Sequence, residues 1–165
     1  MGRFAELIRT TTVEPGSLAI LWIGQAGFVY KTPGGSVIYV DPYLTDFVAR
    51  KYPQVGYGFK RITACPITPE EVEADVVVST HAHEDHVGAL GHLWSRLRLP
   101  VYARPFTALL ARMKLEDAGQ PSDQLRVVGP RPAMTEAGPF RVQFVPVSHS
   151  IPESSALIID TPAGR

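Results

Sequence analysis

Cysteine is almost missing from these 165 residues. Cys65 stands alone, so no internal disulfide framework can form. An excess of either charge is missing too: 16 Lys and Arg balance 16 Asp and Glu. That balance excludes a global basic field for nucleic acid, while leaving room for a local basic patch. No apolar run reaches the roughly 18 residues of a membrane span. The opening MGRFAELIRTTT has no signal-peptide core. Internal repeats and low-complexity stretches are also lacking. What is present is a 45% hydrophobic, 19% charged chain with 14 glycines and 15 prolines. Such a composition excludes intrinsic disorder and implies many tight turns. The length allows one domain. A soluble, cytoplasmic, single-domain protein without a membrane partner is the expectation.

Residues 18–23 (LAILWI), 28–31 and 36–40 (SVIYV) read as strands, with Pro33-Gly34-Gly35 as a hairpin turn, so the first quarter is expected to be an antiparallel meander. Residues 42–67 lack periodicity and read as a long surface loop. Thr68-Pro69-Glu70-Glu71 opens a short helix with a capping box. Residues 75–80 (DVVVST) read as a buried strand, followed by a histidine-rich turn and a helix at 86–97. A short strand at 101–103 precedes a helix at 106–117, with Leu109, Leu110, Met113 and Leu115 expected toward the core. Strands at 125–128, 140–147 and 156–160 end in the turn 161–164. Antiparallel strands followed by strand–helix units predict a mixed sheet with helices packed on it, an α/β (α+β) layered class.

Three of the five histidines fall in the run His81-Ala82-His83-Glu84-Asp85-His86, directly after the strand DVVVST. If the backbone stays extended past Thr80, positions 81, 83 and 85 point to one side, because strand side chains alternate. His86 then opens the following helix and can turn toward the same space. Neutral imidazole and carboxylate are ligands that zinc prefers. The alternating pair offers two nitrogens to one ion; Asp85 and His86 are placed for a second, or Asp85 for orienting a water. A purification tag or a chance cluster is the plain alternative. The internal position between a strand and a helix argues against it.

HAHEDH resembles the HxHxDH signature of metallo-β-lactamase-fold hydrolases, and the likeness extends from about Leu18 to Gly164. The resemblance implies an αββα sandwich binding one or two zinc ions. It implies His81, His83 and the remote His149 as ligands of the first metal, Asp85 and His86 as ligands of the second, and Asp41 as a support behind the ligands. Two subfamilies are resembled. Residues 21–28 (LWIGQAGF) and 39–44 (YVDPYL) are similar to the ascorbate-6-phosphate lactonase-like group. Residues 83–93, 149–154 (HSIPES) and 161–164 (TPAG) are similar to ribonuclease J-type enzymes.

The family pattern continues with a bridging aspartate and a last histidine that do not occur among these residues. One zinc at His81, His83 and His149 is therefore expected, with the second site weak or empty unless C-terminal ligands complete it. The resemblance further implies that residues 1–165 are one domain, the N-terminal part of a larger enzyme. Its second half is expected to be incomplete, leaving an unpaired edge near 156–160. The expected activity is zinc-dependent hydrolysis by a metal-activated water, with Asp85 orienting or deprotonating it. The substrate would be a phosphodiester (RNA) or a related ester. A lactonase and a catalytically incomplete metal-binding module are the alternatives. A completing C-terminal segment or a homo-oligomer would be the partner.

Other residues receive plainer readings. His92 and Cys65 are expected to pack or face solvent, and Asp160 to serve a turn. Gly24-x-x-Gly27 is not a phosphate loop, since no Lys-Ser/Thr follows. Arg96, Arg98, Arg104, Arg112 and Lys114 face solvent or line an RNA path. Trp22, Phe28, Phe140 and Phe144 follow strand periodicity and are expected in the core.

Overall fold

The β-branched runs become the centre of a six-stranded sheet, because such residues fill a pleated surface well. A computed structural model describes residues 2–53, 60–88, 90–161 and 163–164; the side chains at 92 and 95–97 also lie outside the described set. The sheet holds β1 (Ala19–Gly24), β2 (Gly27–Lys31), β3 (Val37–Val40), β4 (Val76–Ser79), β5 (Val101–Ala103) and β6 (Leu125–Val127), in sequence order. β1, β2 and β3 pair antiparallel, as the meander reading expected. From β3 to β6 the pairing is parallel. A second sheet, β7 (Thr135–Ala137), β8 (Phe140–Pro146) and β9 (Ser155–Asp160), is antiparallel.

Alternation in β3 and β4 sorts two cores. Tyr39 and Val77 point to a helical layer built from α1 (Arg3–Thr10), α4 (Leu90–Leu97) and α5 (Pro105–Asp117), where they meet Ile8, Leu93, Trp94 and Leu115. Ile38, Val40, Val76 and Val78 point the other way, onto Phe140, Val142 and Phe144 of the second sheet. The central strands are buried on both faces, as parallel strands are. The result is a helix layer, a wide sheet and a narrower sheet, three layers of the expected αββα sandwich. Among the described residues no strand pairs with the free edge of β9, as expected. No helix of the described residues is long and apolar enough to cross a membrane.

Several expectations change. The segment 42–67 is not simply a surface loop. It contains α2 (Phe47–Lys51) and buries Tyr43, Leu44, Val48 and Ile67, side chains anchored by tertiary contacts rather than by any periodic pattern. The helix expected at 86–97 is two helices, α3 (Glu84–Val87) and α4, and the strand β7 was not foreseen. Trp22 is not core: it is 52% exposed, and Ile20 beside it is 60% exposed. Both sit at the sheet edge opposite Phe28 and Tyr30, where the narrower sheet fails to cover them. The reading of His92 falls on an undescribed side chain.

Helix α5 keeps only part of its expected face: Leu115 is buried and Leu110 packs against the core. Leu109 and Met113 are about half exposed, and the buried stripe is Thr107, Ala108, Ala111 and Leu115. Small residues win because α4 and α5 approach closely. A Cβ on Gly91 would lie 2.5 Å from the Lys114 carbonyl oxygen and 2.8 Å from Ala118 Cβ. Gly91→Ala is therefore expected to destabilise the protein by about 1–3 kcal/mol through overpacking, despite alanine's better helix propensity. Urea unfolding of the metal-free protein measures this, and a gain in stability would contradict the close approach.

Candidate metal centre

The carboxyl ends of β3, β4 and β8 deliver the site. Asp41 follows β3 directly, with φ at 47°, and its backbone N–H donates to the Val78 carbonyl. Its carboxylate is buried and organises the end of β4. Oδ1 accepts from the Thr80 backbone N–H at 2.9 Å, and Oδ2 accepts from the Thr80 hydroxyl at 2.6 Å. Oδ2 also lies 2.9 Å from His86 Nδ1. The Thr80 oxygen is in turn 2.9 Å from His81 Nδ1. Because the Thr80 hydroxyl has one proton and gives it to Asp41, its oxygen accepts from His81 Nδ1–H. That fixes the tautomer of His81 and leaves Nε2 with a free lone pair.

This Nε2 points into a group of three imidazoles. It lies 3.1 Å from His83 Nδ1. Ring centroids are 4.9 Å apart for His81 and His83, 4.8 Å for His81 and His149, and 4.7 Å for His83 and His149. One nitrogen from each falls within 4.8 Å of the others, and the same holds for one ligand atom each of Asp41, His81 and His86. The remote His149 thus arrives beside the two neighbours. The donor set of the first group fits zinc, which takes three protein ligands and keeps a fourth position open in catalytic sites.

Electrostatics suit ligation. Burial, reinforced by His86, His83 and His149, pushes the His81 imidazole down to about 4, so it is neutral at neutral pH. His86 moves upward: burial opposes its charge, but the contact and charge of Asp41, with help from Asp85, prevail. Asp85 does not continue an extended strand in register with 81 and 83, as the alternation reading expected. The chain bends after Ser79, and Asp85 sits in α3 with a side chain 45% exposed, 3.7 Å from His86 Nε2. The acid nearer to His86 is Asp41, a contact between strand ends that no local pattern announces.

The loop carrying His149 is tied down at two points. The Ser155 N–H donates to the Thr80 carbonyl at 3.2 Å. Glu153, held at φ 59°, accepts from Arg104 Nη2 at 3.0 Å and from the Phe106 backbone N–H at the start of α5 at 2.5 Å. Arg104 is accordingly buried and does not face solvent, whereas Lys114 is partly exposed and pairs with Glu84. The Arg96 side chain lies outside the described residues, whereas Arg98 and Arg112 are exposed. Cys65 packs with its thiol 3.0 Å from the Ile67 carbonyl, and Asp160 pairs with Arg141 across the β8–β9 ladder at 3.4 Å. Sequence reasoning passed over Glu153 as a support, although it lies inside HSIPES. Glu153→Ala is expected to cost about 1.5–3 kcal/mol, the value of a hydrogen bond to a charged group, and to weaken zinc binding. Glu153→Gln restores part of both. Thermal unfolding and zinc titration of the two variants decide it, and equal zinc affinity in parent and Glu153→Ala would contradict the support.

Known proteins share this organisation. Residues 19–152 match the family model described as "Beta-lactamase superfamily domain". Ribonuclease J of Sinorhizobium meliloti is 44% identical over 88 residues, covering 53% of this chain and 16% of that protein. A UPF0173 metal-dependent hydrolase of Cupriavidus necator is 38% identical over 87 residues, covering 53% of this chain and 26% of that protein. The chain therefore spans about a quarter or less of these curated relatives' lengths. Igni18, a metallo hydrolase of Ignicoccus hospitalis, superposes with a TM-score of 0.55 at 20% identity, over 88% of this chain and 56% of that one. At that identity the likeness speaks for the fold.

Proposed function

Because the chain belongs to the β-lactamase superfamily, whose family model covers its residues 19–152, we propose that it is the metal-binding part of a zinc-dependent hydrolase acting on a phosphodiester, RNA in the first place. The observation that carries the proposal is the convergence of His81, His83 and His149. When bound, zinc supplies Lewis acidity that acidifies water near neutral pH. The rest falls to the chain itself. Thr80 and Asp41 hold the His81 ring in the ligating tautomer. Asp41 also holds His86 against the same cluster. Asp85, exposed at the cavity wall, orients the attacking water and accepts its proton at a carboxylate oxygen. The likeness to ribonuclease J over 88 residues supports a phosphodiester over a lactone.

A second ion at His86 with Asp85 or Asp41 would need ligands from further polypeptide. The open edge of β9 and the uncovered Ile20 and Trp22 support such a completing segment in the whole protein. The test combines elemental analysis with turnover of bis-p-nitrophenyl phosphate. One zinc per chain, with hydrolysis that disappears in His149→Ala, is the expected result. Stoichiometric zinc without turnover of this ester or of an RNA oligomer would instead make the chain a metal-binding module.

A further inference from the structure

A cavity of about 130 Å³ lies under α1 on the helix face of the six-stranded sheet, apart from the one that Asp85 borders. It reaches the amino end of β3 at Val37, whereas the histidines gather beyond the carboxyl ends of the strands. None of its lining residues belongs to the metal centre. Two groups in its wall lack a full set of partners. Lys31 is buried, and its Nζ donates to the Ile8 and Arg9 carbonyls at 2.7 and 2.8 Å, at the negative end of α1. An ammonium has three N–H donors, so capping the helix leaves one. Among the described residues no carboxylate forms an ion pair with this buried cation. The Tyr39 hydroxyl is fully buried and has no hydrogen-bond partner among the described residues. Burial, reinforced by Glu73 and Cys65, pushes that phenol well above its ordinary value, so it stays a protonated donor.

The remaining walls decide what completes these donors. Two donors, one of them a buried cation, suit a carboxylate. Ile8, Val37 and Ile67 supply apolar surface beside them. The acids at the rim disfavour any further negative charge, and so disfavour phosphate. Glu71 is occupied, accepting from the Gly2 and Thr68 backbone N–H groups. Arg9 is occupied too, its guanidinium 2.6 Å from Glu6, and it meets Glu73 only as a weaker, more distant charge. Glu73 is exposed and forms no ion pair among the described residues, so it is left to face a cation. An engineered cavity of about 150 Å³ holds benzene, and this one therefore admits a molecule of alanine's size. We propose that it binds a small aliphatic α-amino acid, with the carboxylate on Lys31 Nζ and the Tyr39 hydroxyl, the ammonium toward Glu73, and the side chain against Ile8 and Ile67. The proposal stands independently of the metal centre and its substrate.

L-alanine is the probe; propionate lacks its ammonium and ethylamine lacks its carboxylate. Metal-free protein is used, so that zinc chelation by the amino acid plays no part. Amide NMR titration follows Ala5, Lys31 and Val37, with Ser150, beside His83, as the control. Alanine is expected to shift the first three and not Ser150. It binds about three- to fivefold more tightly than propionate, a modest gain because Glu73 is exposed. It binds at least about tenfold more tightly than ethylamine, because Lys31 is buried. Glu73→Gln brings alanine down to the level of propionate. Tyr39→Phe weakens alanine about tenfold and does not lower the stability of the ligand-free protein to urea, since the hydroxyl it removes has no partner. Equal binding of alanine and ethylamine overturns the proposal, as does an unchanged alanine affinity in Tyr39→Phe. An absence of alanine-induced shifts at Ala5, Lys31 and Val37 overturns it as well, and leaves the cavity to water.

Discussion

Alanine at both His81 and His83 abolishes stoichiometric zinc uptake and leaves a folded chain. Two of three converging imidazoles disappear, so the remaining ligand, the half-ring of neighbours around it and any water cannot form a closed coordination sphere. Loss of a group behind a metal ligand already weakens binding about 10–100-fold, and loss of two ligands must exceed that, by about a thousandfold or more. The fold should tolerate the change. His83 is half-buried, and the buried His81 makes its polar contacts to Thr80 and His83. Competition with a chromophoric chelator gives the affinity, and circular dichroism gives the fold. Zinc at one equivalent in the folded double variant would show that the ligands lie elsewhere.

Asp41 carries the second large effect. It is buried, and three polar groups depend on it: the Thr80 N–H, the Thr80 hydroxyl and the His86 imidazole. Asp41→Ala leaves them without a partner, and removing one member of a buried pair costs about 3–5 kcal/mol. Asp41→Asn keeps the size and an acceptor for Thr80 but loses the charge. In that variant the His86 imidazole falls from above its ordinary value to below it, since burial then acts unopposed. The sign of the pH effect follows. A histidine raised in the folded state contributes stability that is complete below its unfolded value of about 6.5 and is lost as pH rises through the folded one. The stability gap between parent and Asp41→Asn, both metal-free, is therefore widest under mildly acidic conditions and narrows toward alkaline pH. Zinc affinity falls about 10–100-fold, because asparagine has one acceptor oxygen where the Thr80 N–H and hydroxyl used two, so the hydroxyl no longer fixes the His81 tautomer. A gap that widened with pH would contradict the Asp41–His86 contact.

Much of this was legible before any coordinates. Runs such as SVIYV and DVVVST are β-branched, apolar and short, and they became the doubly buried strands β3 and β4. HAHEDH was readable as a candidate ligand set because metal chemistry restricts residue type and spacing so strongly, His149 was implied by the family resemblance, and the structure brings His81, His83 and His149 together. What escaped reading depended on tertiary context. In α5 the larger apolar residues Leu109 and Met113 suggested a core face, yet close helix approach selects Ala108 and Ala111. Between 42 and 67, Tyr43, Leu44 and Val48 bury themselves in an irregular path where periodicity carries no signal. Trp22 obeys the strand period and still faces solvent, because its burial depends on the width of the opposing sheet. Asp41 was recognisable as a support, but its contact with His86 joins residues 45 positions apart in sequence and arises only from the parallel pairing of β3 and β4.

X-ray absorption of the zinc-loaded protein addresses the convergence of the three imidazoles most directly. The expected spectrum shows three imidazole nitrogens at about 2.0–2.1 Å and a further light-atom ligand, with one imidazole fewer in His149→Ala. A zinc sphere containing sulfur, or one whose imidazole number is unchanged in His149→Ala, would contradict the account.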